Sequence, residues 1–320
     1  MNKTLKIAVK YALYYAPRPL QERLRKIQME RELREGMERA KRTRVSKAEF
    51  LELMDRLDWG SDIFLHTSML NVGKIEGGAK FIADTLSRKV DTERYTLLVS
   101  ALPYRGSFWE YLRMNPTFDV RTADIAMGAV NERLAARPDA CRSIHPTHSV
   151  VAIGKRAAEY TATHHLDKTP FGPHSPYWKL FLNKGKILLL GATLNNVTAI
   201  HALEDALGDS YPIDIYAADD YPVTCYDGEG KPLIVSTKCH HPLKCISRDG
   251  VVLRKPLEAC GGVKAYPLGE SEALLIDALK YAQCFFDQLA QGRSIYGGRH
   301  AVTPELLEAI GRAKQALGIE

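Results

Sequence analysis

The sequence predicts an α/β protein: a central mixed sheet flanked by helices, with a strand-rich C-terminal portion and a helical N-terminal arm. Three observations predict it. Apolar runs of strand length, such as 62–66, 95–101 and 187–190, are punctuated by Gly or Pro and alternate with helical patterns. Two short alternating runs, near 222–226 and 232–236, cluster late in the chain. The 320 residues are 45% hydrophobic and 26% charged, and no apolar run approaches the roughly 18 residues a spanning helix needs.

Residues 1–45 read as the arm. Leu5, Val9, Ala12 and Leu13 follow helical spacing, as do Leu20, Leu24, Ile27 and Arg31 beyond Pro17 and Pro19. The body, 46–320, reads as a single domain. It opens with Ser46 and Glu49, a capping box ahead of the apolar face Phe50, Leu51, Met54 and Leu57. The strand 62–66 runs through a loop into Gly77-Gly78 and a helix carrying Phe81, Ile82 and Leu86. Strands follow at 95–101, 150–153 and 187–190, with helices around 129–136, 154–163 and 196–207 between and after them. The late part adds strands near 222–226, 232–236 and 251–253. Helices at 271–289 and 303–317 close the chain, the last capped by Thr303.

The net charge of +6 belongs to the arm. Residues 1–45 hold 13 Lys/Arg against 5 Glu; the remaining 275 hold 31 against 33 Asp/Glu. A nucleic-acid-binding body is therefore not expected. The arm reads as a solvated helical hairpin packed on the body or on another subunit. The sharper alternative is a membrane-surface anchor with Tyr11, Tyr14 and Tyr15 at the interface. Six cysteines without a CxxC pair point to free thiols and a cytoplasmic setting. Lys6 and Lys10 interrupt the apolar start, and no small-residue cleavage site follows, so the N-terminus reads as retained.

Four stretches carry chemistry. Arg142, Ser143, His145, Pro146, His148 and Ser149 put a cation, hydroxyls and imidazoles on one loop before a strand. His201 and Glu204, three apart on a helix opened by Asn196 or Thr198, share a face, so the carboxylate can orient the imidazole as a general base. His174 and Ser175 sit in a Pro-bounded aromatic turn. His66, Thr67 and Ser68 end a strand ahead of Gly77 and Gly78, an arrangement that suits phosphate oxygens. Cys239, His240, His241 and Cys245 fit no zinc spacing, and no GxSxG elbow is present, so no metal is assigned.

In this order these stretches resemble the aminoglycoside 3-N-acetyltransferase family. The matching residues are His66-Thr67-Ser68; Gly77-Gly78; Phe118-Asp119 with Gly128; Arg142-Ser143-Ile144-His145-Pro146 with Ser149; Ser175-Pro176; Leu188-Leu189-Leu190-Gly191; and Thr198-Ala199-Ile200-His201 with Glu204. The resemblance covers about 46–290. It implies acetyl-CoA-dependent transfer of an acetyl group to an amine on a sugar-like ring. It departs in the basic arm, in Ile200 for the usual Leu, and in Lys238-Cys239-His240-His241-Pro242, where drug-modifying members offer carboxylates.

The expected activity is therefore an acetyl-CoA-dependent N-acetyltransferase acting on an amino sugar. His201 with Glu204 is the base and His145 the second candidate. His66, Thr67, Ser68, Gly77, Gly78, Arg142, Ser143 and Ser149 are expected at the cofactor. His174, Ser175, Thr198, His240 and His241 are expected at the acceptor. Backbone donors at 67–68, or the hydroxyls of Ser143 or Thr198, are expected to meet the developing oxyanion. The missing carboxylates favour a nucleotide-linked amino sugar for a surface polysaccharide. The alternatives are an aminoglycoside acceptor, a non-catalytic protein that holds CoA or a glycan, and a membrane-surface adaptor. A homo-oligomer stays open.

Overall fold

The computed structural model describes residues 3–320; Met1 and Asn2 lie outside it, as do the side chains of residues 3–6, 10 and 18, and with them the facing of Leu5. Its centre is a seven-stranded mixed sheet. In spatial order the strands are Val263–Leu268, Ser271–Asp277, Lys186–Leu190, Ile63–Thr67, Thr96–Ser100, Val150–Gly154 and Ala140–Arg142. Ile63–Thr67 runs parallel to both of its neighbours, and the outer pairings are antiparallel.

The inner strands are apolar without alternation because both faces are covered. Phe64, Leu98, Ile187 and Leu189 pack into one core, while Ile63, Leu65, Leu97, Val99, Leu188 and Leu190 pack into the other. Successive side chains point to opposite faces of a strand, so one run feeds both cores.

Three parallel strands end at the same edge of the sheet. Ser100 is in register with Val150 and Leu190 with Ala273, so the antiparallel strands Val150–Gly154 and Ser271–Asp277 begin there. That single edge gathers the loops after Thr67, Ser100 and Leu190 and the loop before Val150. In open α/β sheets, ligands bind at such strand ends.

A second sheet pairs Pro232–Thr237, Tyr221–Tyr226 and Phe118–Asp119 over a small core of Leu112, Phe118, Val223 and Val235. The capping box forms as predicted: Ser46 accepts from the Glu49 backbone N–H, and the Glu49 carboxylate accepts from the Ser46 N–H. Thr303 caps Pro304–Leu317.

Two expectations are corrected. Residues 251–253 belong to a 3-10 turn, Gly250–Leu253, where the Asp249 side chain accepts from the Val251 N–H and Val251 and Val252 stay half exposed. Residues 271–289 are not one helix. Ser271–Asp277 is a strand and the helix is Ala278–Ala290, with Asp277 as its cap. A four-residue apolar run cannot by itself distinguish buried strand from buried helix, and here strand partners on both sides decide. Its hairpin partner, Val263–Leu268, is mostly exposed and left no apolar signal.

The arm is two helices, Lys3–Tyr15 and Arg18–Arg42, broken at Pro17. It packs on the body of its own chain. Glu270 receives Arg42 and Thr43, Glu110 receives Arg25, and Arg44–Val45 pairs in parallel with Lys74–Ile75.

Candidate active site

His201 lies on the short helix Ile200–Asp205, which follows the strand Lys186–Leu190 at the gathered edge. Its Nδ1 is 2.6 Å from Glu204 Oε2, as the i, i+3 spacing predicts. Tyr211 donates to the other Glu204 oxygen at 2.9 Å. His201 Nε2 is 2.6 Å from Arg248 Nη1. A guanidinium only donates, so Nε2 is the accepting nitrogen and Nδ1 carries the proton toward Glu204. This is the tautomer a general base needs, with its lone pair at Nε2.

Burial holds the His201 imidazole well below its ordinary range, and Arg248 adds to the effect. The ring is therefore neutral near pH 7. Burial pushes Glu204 up to about 7, opposed by the Tyr211 hydroxyl and by Arg248. His240 packs edge-on to His201 with ring centroids 4.5 Å apart, and its Nε2 is buried without a partner. His201, Glu204 and His240 bring one donor atom each within 4.8 Å of one another, but the charge at His201 Nε2 is already that of Arg248.

His145 is fully buried. Its Nδ1 accepts from the backbone N–H groups of Thr147 and His148, and its ring stacks on His164 at 4.5 Å. Nδ1 thus holds the loop 145–148 in place, and Nε2 is 3.4 Å from Thr237 Oγ1. Ser143 is equally committed: its Oγ accepts from the Val150 N–H at 2.9 Å and is 2.8 Å from His164 Nδ1. Ser149 Oγ donates to the Ser143 carbonyl at 2.7 Å. Arg142 donates to Ser149 and to the carbonyls of Ala101, Ala123 and Asp124, and burial lowers its pKa to about 10. These polar atoms tie loops of the gathered edge together through hydrogen bonds within the protein.

Thr67, Ser68 and Gly78 line a cavity of about 530 Å³ together with Lys74 and Gly128. Gly77, at φ +83°, caps the helix Gly78–Lys89 behind it; a Cβ there would stand 2.6 Å from Phe81 Cβ. The Ser68 N–H is taken by the Leu190 carbonyl, which removes one expected oxyanion donor. His66 is stacked on Phe64, its Nε2 buried without a partner, and burial lowers its pKa to about 4.

Among the acceptor candidates, Ser175 is buried as the cap of Pro176–Leu182, accepting from the Trp178 N–H. His174 is held by Asp167 at 2.7 Å. Thr198 is half-buried near the Asn196 carbonyl, and His241 lies beside Tyr14 and Trp109. A second cavity, about 610 Å³, borders Glu204 and is lined by Asp167, Asp205, Asp209 and Asp214 against Lys168 and Lys238. Carboxylates are thus present, supplied by residues 205–214 and by Asp167 and not by the 238–242 stretch. Asp205 accepts from Tyr216 at 2.6 Å and from Thr169, and burial raises it to about 7. Sequence reasoning missed Arg248, Tyr211, Tyr216 and these aspartates. The density of Asp over 205–220, without a single Lys or Arg, was the available signal.

The family model for aminoglycoside 3-N-acetyltransferase matches residues 64–290. The chain belongs to the aminoglycoside 3-N-acetyltransferase family. Members of this family are acyl-CoA-dependent N-acyltransferases, with acetyl-CoA as donor. The chain is 37% identical over 168 residues to aminoglycoside N(3)-acetyltransferase VII of Streptomyces paromomycinus, a match spanning 48% of this chain and 58% of that one. It is 33% identical over 230 residues to aminoglycoside N(3)-acetyltransferase III of Serratia marcescens, spanning 62% and 84%. Among solved structures, AAC-VIa bound to sisomicin superposes with a TM-score of 0.63 at 27% identity, covering 78% of this chain and 98% of that one. AAC-IIIb in binary complex with CoASH shares the fold at a TM-score of 0.62 and 22% identity, covering 78% and 98%.

Proposed function

We propose that this chain transfers the acetyl group of acetyl-CoA to an amine of an aminoglycoside-type amino sugar. The observation that carries the reading is the oriented dyad: Glu204 holds His201 Nδ1–H, so the accepting nitrogen is Nε2, which takes the proton of the acceptor amine in place of its hydrogen bond from Arg248. The amine attacks the thioester carbonyl, its proton passes to His201 Nε2, and the C–S bond breaks. The amide and CoA thiol are the products, the thiolate taking up a proton. General-base assistance of this kind typically contributes about 10²- to 10⁴-fold.

Lys74, Ser68 and Gly78 suit the donor: a glycine helix entry, a hydroxyl and a cation border a cavity of about 530 Å³. The carboxylate-lined cavity beside Glu204 suits a polyamine. That lining removes the premise on which a nucleotide-linked acceptor and a polysaccharide role were expected, and the relatives are named for aminoglycosides. His201 is the proposed base and His240 a wall of its pocket.

The test follows thiol release from acetyl-CoA with aminoglycosides, simple amino sugars and nucleotide amino sugars. Turnover of an aminoglycoside, abolished in His201→Ala, is the expected result. Turnover of nucleotide sugars alone would overturn the acceptor class. No thiol release with any amine would overturn the reaction.

A further inference from the structure

The arm lies outside the segment that carries the family match, yet it reaches the cavity assigned above to the donor. Gly36 and Ala40, on the helix Arg18–Arg42, line that cavity opposite Thr67, Ser68 and Gly78. Gly36 is buried, and a Cβ there would stand 2.6 Å from Leu70 Cδ2, so the helix backbone lies directly on the body. Arg39 donates to the Leu70 carbonyl at 3.1 Å, and Arg42 is held by both oxygens of Glu270.

The other end of the helix is held elsewhere. Arg25 pairs with Glu110, and Tyr14, on the preceding helix, packs 5.8 Å from Trp109 and 5.9 Å from His241, next to His240 in the acyl-transfer site. From residue 25 to residue 36 an α-helix advances about 16 Å. The arm is therefore fastened at two separate places, with a free span between.

Residues 25, 29, 33, 36 and 40 share one helical face. Arg25, Gly36 and Ala40 meet the body, so Met29 and Leu33 point the same way, yet they are 53% and 50% exposed. Two large apolar side chains on the inward face are thus left half uncovered. Leu20, Leu24 and Ile27 sit on the opposite, outward face.

We infer that the arm helix is part of the acyl-CoA site: Gly36 and Ala40 form its wall, and Met29 and Leu33 close over the bound pantetheine chain. This rests on the donor cavity proposed above. A pantetheine is long, thin and partly apolar, so a strap carrying Met and Leu covers it without a matching polar pattern.

Two variants and one footprint test it. Ala40→Trp fills the wall from the arm, and Ser68→Trp fills the same cavity from the body. Calorimetric titration with CoA and the KM for acetyl-CoA are read for both, with circular dichroism as the folding control. Both variants should weaken CoA by on the order of tenfold, a shift readily resolved. In the unmodified protein, CoA should slow tryptic cleavage after Arg31 and Arg34. Weakening by Ser68→Trp alone, with tryptic cleavage unchanged by CoA, overturns the arm's role and leaves the cavity assignment standing. CoA affinity unchanged in both variants overturns the cavity and the arm together.

Discussion

Arg248 Nη1 stands 2.6 Å from His201 Nε2, the atom proposed to take the proton of the acceptor. Arg248 Nη2 is anchored by the Asn195 carbonyl at 2.7 Å, and Asn195 Oδ1 accepts from the Gly250 N–H at 2.6 Å. In the proposed reaction the acceptor amine donates at this same nitrogen, so Arg248 would have to give way to it; in this structure the guanidinium helps to keep the imidazole neutral.

Removing that cation shifts the pH profile. Arg248 and burial both lower the His201 pKa, so Arg248→Met raises it. The base works only when deprotonated, so the acidic limb of kcat/KM moves to higher pH. At low pH the variant loses activity relative to wild type, and the difference fades above the new pKa. An unchanged acidic limb would show that His201 does not feel Arg248 during turnover.

His201→Ala should lower kcat by about 10²- to 10⁴-fold while CoA affinity stays within a few-fold of wild type. Glu204→Gln should cost less, since an amide oxygen still accepts from Nδ1–H but no longer stabilises the imidazolium. Steady-state kinetics beside CoA titration separates the two effects. A His201→Ala enzyme with near-normal turnover would remove the dyad from the mechanism.

The aspartate lining should govern acceptor affinity. Asp209 and Asp214 are exposed on the cavity beside Glu204, and Asp214 also pairs with Lys244. An exposed ion pair contributes about 0.2–1 kcal/mol. The double change Asp209→Asn with Asp214→Asn should therefore raise the KM of a polycationic aminoglycoside by roughly two- to tenfold. The effect should shrink as salt rises and be small for a singly charged amino sugar. Equal effects on both acceptors would place the drug elsewhere.

Arg142→Met is expected to act on stability. It strips hydrogen bonds from three backbone carbonyls and from Ser149, and hydrogen bonds from charged groups are worth about 1.5–3 kcal/mol each before relaxation. Denaturant unfolding should show a loss of at least about 3 kcal/mol. A stable variant with a raised KM for acetyl-CoA would instead return Arg142 to the cofactor.

What the sequence by itself determined is local. The Ser46–Glu49 capping box, the Thr303 cap and the His201–Glu204 pair each join residues three apart, and helix geometry alone brings such residues together. The inner strands were legible because burial on both faces demands unbroken apolar runs. The ordered motifs pointed to the family because each is a short run of neighbouring residues. Tertiary structure decided the rest. Arg248 meets His201 across 47 residues, with no periodicity to announce it. Ser271–Asp277 became a strand because Lys186–Leu190 and Val263–Leu268 flank it with free hydrogen-bonding edges. Arg142, Ser143 and Ser149 looked available for a ligand, and a polar side chain does look so in sequence. Only the packed loops reveal which carbonyls and amides it must satisfy once water is excluded.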